Sequence, residues 1–251
     1  MINLLVNGGM IENIELVIFD KDGTLMDLYT YWSGMIDLRV SRAQAELGLT
    51  QKQKWDVMYE MGVDLEKSRL RPEGPVGLKK REIVMQAMIK GLERNGFPGN
   101  ESLCQAAFSD ADRMSLDRLP ALIKPIRGMN ELITALRKNG CKLAVGTTDK
   151  TERARLAMGF LGIKDKIDMV VGEDMVPNYK PSPDMVDLIL RELSVDRKCA
   201  VMVGDAITDV EMGIKARLAA SIGVCSGLTS REMLSKKTRF IAKDVSEIKL
   251  I

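Results

Sequence analysis

From Pro125 onward, short apolar runs and amphipathic stretches take turns along the chain. A helical pattern over 128–138 leads into a strand over 142–147 (KLAVGT), 150–161 into 168–172 (DMVVG), 183–192 into 200–204 (AVMVG), and 208–217 into a strand over 220–224. Apolar strands alternating with helices over short connections predict a parallel sheet covered by helices on both faces. One further apolar run, LVIF at 16–19, reads as a strand over 15–20 buried on both faces, and it must join the same sheet. The intervening stretch has another texture. Through YWSGMIDLRVSRAQAELGL, QKQKWDVMYEMG, KKREIVMQAMIKGLERNG and NESLCQAAFSDADRMSL, apolar residues recur at i, i+3 and i+4, which is a helical spacing. The expectation is therefore an α/β core built from 1–27 and 119–251, with a helical domain over 28–118 inserted after the first strand.

In an open parallel sheet, ligands bind outside the carboxyl ends of the strands. The residues just past those ends are Asp20 and Asp22, then Thr147 and Thr148, then Gly172 with Glu173 and Asp174, and then Asp205. Lys180 follows the third exit in the stretch NYKPSPD, and Asp209 lies one helical turn beyond Asp205. Each has an ordinary structural reading by itself. Asp22-Gly23 could close a hairpin, Thr147 could be a β-branched strand residue, Lys180 could be a solvated lysine before a proline-initiated helix, and Asp205 and Asp209 could be turn and helix-start acids. Four strand exits that bring acids, hydroxyls and one lysine to a common crevice, in order, are not explained one by one. Gly23 lets the backbone turn sharply after Asp22, so two acids spaced i and i+2 emerge at one rim, where they can hold a hard cation beside an anionic group.

Composition narrows the chemistry. The chain has no histidine, which excludes Ser-His-Asp and Cys-His nucleophile systems and histidine-rich metal sites. Any general acid or base is then Asp, Glu, Lys, Tyr or Cys, with carboxylates foremost. A net charge of +2 on 251 residues gives no case for nucleic acid or a membrane surface as partner. Cys104, Cys141, Cys199 and Cys225 are widely spaced without a CxxC pair and read as buried free thiols in a reducing compartment. The first residues, MINLLVNGGMIENIEL, lack a basic start and a continuous apolar stretch. A soluble cytoplasmic protein is expected.

Four motifs resemble those of the haloacid dehalogenase-like (HAD) superfamily of phosphohydrolases, in that family's order: DKDGTLMD, VGTTD, YKPSPD and VGDAITDVEMG. The resemblance covers roughly 12–27 and 119–251. It implies a Rossmann-like parallel sheet with helices on both faces, and it makes the inserted helical block a C1 cap. It also implies an aspartyl-phosphate mechanism: Asp20 as the nucleophile, Asp22 as the acid that protonates the leaving group and then deprotonates water, Thr147 on the phosphoryl oxygens, and Lys180 neutralising charge. Gly23 and the Thr148 backbone N–H would help to bind phosphate. Mg²⁺ would be held by the Asp20 carboxylate, the Asp22 backbone carbonyl and Asp205, while Asp209 would act through water or by orienting Lys180. The acid at Asp22 favours phosphate chemistry over dehalogenation, which needs no leaving-group proton. Lys21, where many C1-capped relatives carry Phe, is expected to point away from the phosphate, towards the cap or solvent. Glu173 and Asp174 resemble acids found after the third strand in some relatives.

Within the helical block, Leu70–Arg81 is the densest Pro/Gly segment, and it reads equally as a specificity loop or as an interhelical turn. If it is the former, Arg71 and Lys79 would meet an anionic substrate. The functional expectation is a Mg²⁺-dependent phosphatase for a small phosphorylated metabolite, similar to phosphoglycolate phosphatases, monomeric or homodimeric. A phosphomutase of the same fold and a non-catalytic binding or regulatory module are the alternatives.

Overall fold

A computed structural model describes residues 1–251, apart from the side chain of Leu116. The chain forms two compact units, Met1–Asp27 with Pro125–Ile251, and Leu28–Lys124.

The first unit opens with a hairpin of β1 (Ile2–Val6) and β2 (Gly9–Ile14). Its loop is Asn7-Gly8, both at positive φ (48° and 78°), the backbone that lets a two-residue turn follow the twist of the ribbon. Then comes β3 (Leu16–Phe19), with all four side chains buried.

The second unit contains α1 (Leu28–Leu47), α2 (Gln51–Glu60), the two-residue strands β4 (Val63–Asp64) and β5 (Arg69–Leu70), α3 (Arg81–Arg94) and α4 (Glu101–Leu122). A capping box starts α2: the Gln53 backbone N–H donates to the Thr50 hydroxyl (3.3 Å) and the Thr50 N–H donates back to the Gln53 side chain (2.9 Å). α1 packs along α4, and Gly34 lets the Leu122 side chain close onto the α1 backbone; a Cβ there would lie 2.1 Å from Leu122 Cδ2. Two features differ from the sequence expectation. The unit ends at Lys124 rather than at 118, because α4 runs through Pro120 to Leu122; a proline in the last turn removes only one terminal bond. It also holds the antiparallel β4–β5 pair, too short to leave a periodicity.

Back in the first unit follow α5 (Met129–Lys138), β6 (Lys142–Gly146), α6 (Thr151–Phe160), β7 (Met169–Val171), α7 (Asp184–Leu193), β8 (Ala200–Gly204), α8 (Ile207–Lys215), β9 (Ala220–Val224), α9 (Arg231–Ser235), β10 (Phe240–Ala242) and β11 (Lys249–Leu250). Six strands make one parallel sheet in the order β10-β9-β8-β3-β6-β7, and β11 joins the hairpin as an antiparallel β11-β1-β2 sheet. From β3 the chain moves outward through β6 and β7, then returns to β8 on the other flank. The order thus reverses at β3, and the crevice lies at its carboxyl end. Phe19 is level with Val145 and Val203, so Asp20 leaves the sheet beside Gly146 and Gly204. The Asp20 N–H extends the ladder to the Val203 carbonyl (2.8 Å), and the Thr147 N–H does the same to Val171 (3.0 Å). One face of β3, Leu16 and Ile18, packs with Ala144 and Met202 beneath Met185, Ile189 and Met212 of α7 and α8.

Truncating the central strand should therefore be costly. Ile18→Ala is expected to lower stability by about 2–5 kcal/mol, measured by chemical denaturation. A loss under about 1 kcal/mol would contradict the close packing of this face.

Candidate active site

Asp20 sits at the end of the central strand with only 8% of its surface exposed. Its Oδ1 accepts a hydrogen bond from Lys180 Nζ at 2.5 Å, and the same ammonium lies 2.7 Å from Asp209 Oδ1. Each partner is fixed by its own element. The loop carrying Lys180 is tied down by Asp184 at the start of α7, which accepts from the Ser182 hydroxyl (2.5 Å) and from the backbone and side-chain N–H of Asn178 (3.2 and 3.1 Å). Asp209, in the first turn of α8, accepts the Ala206 N–H on Oδ2 (2.9 Å). Gly204 makes room for it: a Cβ at that position would meet the Asp209 Cβ at 2.3 Å.

Asp205 follows β8 and accepts the Thr24 hydroxyl on Oδ1 (3.1 Å). Two glycine backbones press on its carboxylate. A Cβ on Gly23 (φ 85°) would come within 2.8 Å of both carboxylate oxygens, and one on Gly227 would come within 1.7 Å of Oδ2. The Ser226 hydroxyl donates to the Gly23 carbonyl (2.6 Å), so the loop after β9 closes a side of the site that the sequence analysis did not include. Its only sequence signal is the glycine after an apolar strand, in GVCSG.

The carboxylate oxygens of Asp20, Asp205 and Asp209 can all lie within 4.8 Å of one another, and all three residues are buried. Burial, with Asp209 and Asp22 adding to it against Lys180, pushes the Asp20 carboxyl up to about 7. Burial together with Asp20 and Asp209 holds Asp205 well above the ordinary carboxylate range, although Thr24 and Lys180 act against this. Burial alone would lower Lys180, but the Asp20 and Asp209 carboxylates outweigh it and keep the ammonium charged. Three crowded acids facing one ammonium resist ionising together, and an all-oxygen set of carboxylates suits a hard divalent ion that would let them do so. The residues fit Mg²⁺.

The other residues expected at the site divide into groups. Thr147 is buried at the end of β6, and its hydroxyl accepts the Asp149 N–H (3.2 Å); Thr148 is exposed next to it. Gly23 uses its N–H to close a turn onto the Met26 carbonyl (2.9 Å), so what it contributes is the approach to Asp205 rather than an amide for phosphate. Asp22 directs Oδ1 at Lys21 Nζ, 2.6 Å away. Lys21 does not point to solvent. It is 2% exposed, because Asp22 and Asp149 give its ammonium partners inside the fold. Asp174 caps α6, accepting the Thr151 N–H and hydroxyl, both at 2.8 Å, while Glu173 is exposed. Arg71 and Lys79 belong to the second unit. The Arg71 guanidinium lies over the Tyr59 ring (4.0 Å) and donates to the Tyr59 carbonyl and the Glu73 carboxylate, each at 2.9 Å; Lys79 is exposed. Among the described residues no helix is long and apolar enough to cross a membrane.

The haloacid dehalogenase-like hydrolase family matches residues 14–217, and the chain belongs to that family. It is 29% identical over 234 residues to "Probable phosphatase IndB" of Dickeya dadantii (strain 3937), covering 93% of this chain and 91% of that protein. It is 27% identical over 226 residues to a phosphoglycolate phosphatase of Neisseria meningitidis serogroup A, covering 90% of this chain and 86% of that protein. A crystal structure of a predicted phosphoglycolate phosphatase from Haemophilus somnus 129PT superposes with a TM-score of 0.69 at 19% identity, covering 94% and 97% of the two chains, and so shares the fold.

Protonation of the crowded acids would compete with any cation held there. Asp20 has an ordinary value of 3.8 and about 7 in the fold, so its protonated form favours folding. That contribution is complete below the ordinary value and is lost as the pH rises through about 7. Added Mg²⁺ should thus raise the thermal midpoint several degrees more at about pH 8 than at about pH 5. An equal shift at both pH values, or none, would contradict the acidic site as the binding locus.

Proposed function

We propose that the protein is a Mg²⁺-dependent phosphatase that hydrolyses a small phosphomonoester through an aspartyl phosphate on Asp20. The observation that carries this reading is the buried Asp20 carboxylate at the end of β3, 2.5 Å from the Lys180 ammonium. Asp20 attacks phosphorus, and the leaving alkoxide takes its proton from Asp22. Asp22 then removes a proton from water, which attacks the aspartyl phosphate, regenerates Asp20 and releases phosphate. A carboxylate nucleophile divides one hard displacement into two easier ones, and a neighbouring acid serves both as donor and acceptor. The Thr147 hydroxyl and the Thr148 N–H hold the phosphoryl oxygens, while Lys180 offsets their charge. Phosphoryl transfer depends chiefly on such positioning and charge neutralisation.

Asp20 and Asp205, with the Asp22 backbone carbonyl, would hold Mg²⁺, which supplies further neutralisation of the phosphoryl charge when bound. Asp209, already engaged with Lys180 and the Ala206 N–H, orients the lysine. Relatives named phosphatase and phosphoglycolate phosphatase support a small phosphorylated metabolite, with phosphoglycolate foremost among the compounds to try. Within the second unit the guanidinium of Arg71 is already taken up by Tyr59 and Glu73, whereas Lys79 is exposed. Four free cysteines accord with a cytoplasmic setting.

Asp20→Asn removes the nucleophile but keeps the shape, and it should lower kcat at least about a thousandfold without unfolding the protein. Residual activity within about tenfold of the unsubstituted protein, a barrier change of ~1.4 kcal/mol, would sink the assignment. EDTA should abolish turnover and Mg²⁺ should restore it; full activity in the chelator removes the metal from the reaction. Turnover of phosphoglycolate, sugar phosphates and nucleoside monophosphates, with phosphate and isomers both quantified, should give phosphate. Isomer accumulation with little phosphate would mean a mutase.

A further inference from the structure

Lys21 stands between the two acids of DKDG, and its side chain is almost wholly buried (2% exposed). A buried ammonium is tolerated only where it has partners. Lys21 Nζ lies 2.6 Å from Asp22 Oδ1 and 3.5 Å from Asp149 Oδ2, with Met26 Sδ at 3.9 Å. Asp149 in turn donates its backbone N–H to the Thr147 hydroxyl (3.2 Å) and places Oδ1 3.8 Å from Arg153 Nε of α6. A continuous set of contacts therefore runs from Asp22 through Lys21 to the loop that carries Thr147.

We propose that Lys21 is a positioning residue for Asp22: its ammonium, anchored by Asp149, fixes the Asp22 carboxylate relative to the Thr147 loop. This rests on the reading of Asp22 as the group that gives and takes the proton. The physical argument is geometric. The Asp22 side chain keeps a quarter of its surface exposed, and the Lys21 ammonium holds its carboxylate at 2.6 Å, a contact that fixes its direction. Displacing a reacting group by about 1 Å costs on the order of a hundredfold in rate, so a fixed rotamer has a catalytic consequence. The alternative, that Lys21 serves folding, predicts something different. A buried ion pair is weak evidence for stability, and an apolar side chain of similar length is often as good or better in its place. Both carboxylates that Lys21 contacts retain access to water, so they are not stranded by its removal.

Three variants, Lys21→Met, Lys21→Arg and Asp149→Asn, would be compared with the unsubstituted protein on p-nitrophenyl phosphate and glycerol 2-phosphate. Thermal midpoints would be recorded for each. An alkoxide leaving group needs its proton far more than a nitrophenolate does. Lys21→Met should keep or raise the midpoint, lower kcat on glycerol 2-phosphate about ten- to a hundredfold with KM little changed, and lower kcat on p-nitrophenyl phosphate less than about threefold. Lys21→Arg should recover most of the lost selectivity between the two substrates. Asp149→Asn should shift that selectivity in the same direction but less, because Lys21 keeps its contact with Asp22. In an Asp22→Asn background, Lys21→Met should change neither rate by more than about twofold, since it acts through the group already removed.

Equal losses on both substrates, a full additional loss in the Asp22→Asn background, or a rise in the glycerol 2-phosphate rate would overturn the proposal. If Lys21→Met fails to fold, Asp149→Asn decides it by the same substrate ratio. If Asp22→Asn itself does not separate the two substrates, it is the acid–base reading of Asp22 that fails. If Asp22→Asn separates them and the Lys21 and Asp149 variants do not, only the positioning role is lost.

Discussion

Lys180 lies between Asp20 and Asp209, 2.5 and 2.7 Å away, in a pocket where all three are nearly dry. Removing three charges from water costs several kcal/mol per ion, and the mutual attraction offsets this only where geometry is tight. The surrounding structure supplies that geometry. β3 delivers Asp20, the first turn of α8 delivers Asp209 with one oxygen already committed to a backbone N–H, and an Asp184-ordered loop delivers the lysine. Asp205 adds a third acid, met by the Thr24 hydroxyl and by two glycine backbones at close range. Crowding three acids around one ammonium opposes their joint ionisation, and that is what makes a divalent cation part of the account.

The sheet makes the site possible because its strand order reverses at β3. Helical crossovers bring β6 and β8 to the two flanks of β3 in matched register, so Asp20, Thr147 and Asp205 leave adjacent strands at one edge. Close approach is then a matter of removing Cβ atoms. Gly204 admits Asp209, while Gly23 and Gly227 admit Asp205 from opposite loops. The Ser226–Gly23 bond ties the loop after β9 to the loop after β3, so the edge closes through hydrogen bonds as well as packing.

Much of this was legible because strand exits in a parallel sheet are local signals: LVIF before DKDG and AVMVG before Asp205 each announce a buried strand ending in an acid. Other parts depended on distance. The burial of Lys21 is decided by Asp149, 128 residues away, and nothing adjacent to it distinguishes a solvent-facing lysine from a paired one. Gly227 meets Asp205 through a loop whose course only the fold defines. The amino-terminal hairpin is a different case. Asn7-Gly8 carried the turn signal, yet β2 alternates poorly: its register shifts near Ile2 and Leu4, and Asn13 sits at a positive φ of 60°, so the strand lacks a clean period of two. β4, β5 and β11 have two residues each, too few for any period.

The central claim is covalent: phosphoryl passes through Asp20. Acid quenching of the enzyme during turnover of p-nitrophenyl phosphate, followed by proteolysis and mass spectrometry, tests it most directly. The account predicts a phosphoryl group on the peptide containing Asp20, present only while substrate remains. Steady phosphate release with Asp20 unmodified, or with the phosphoryl group on another residue, would contradict it.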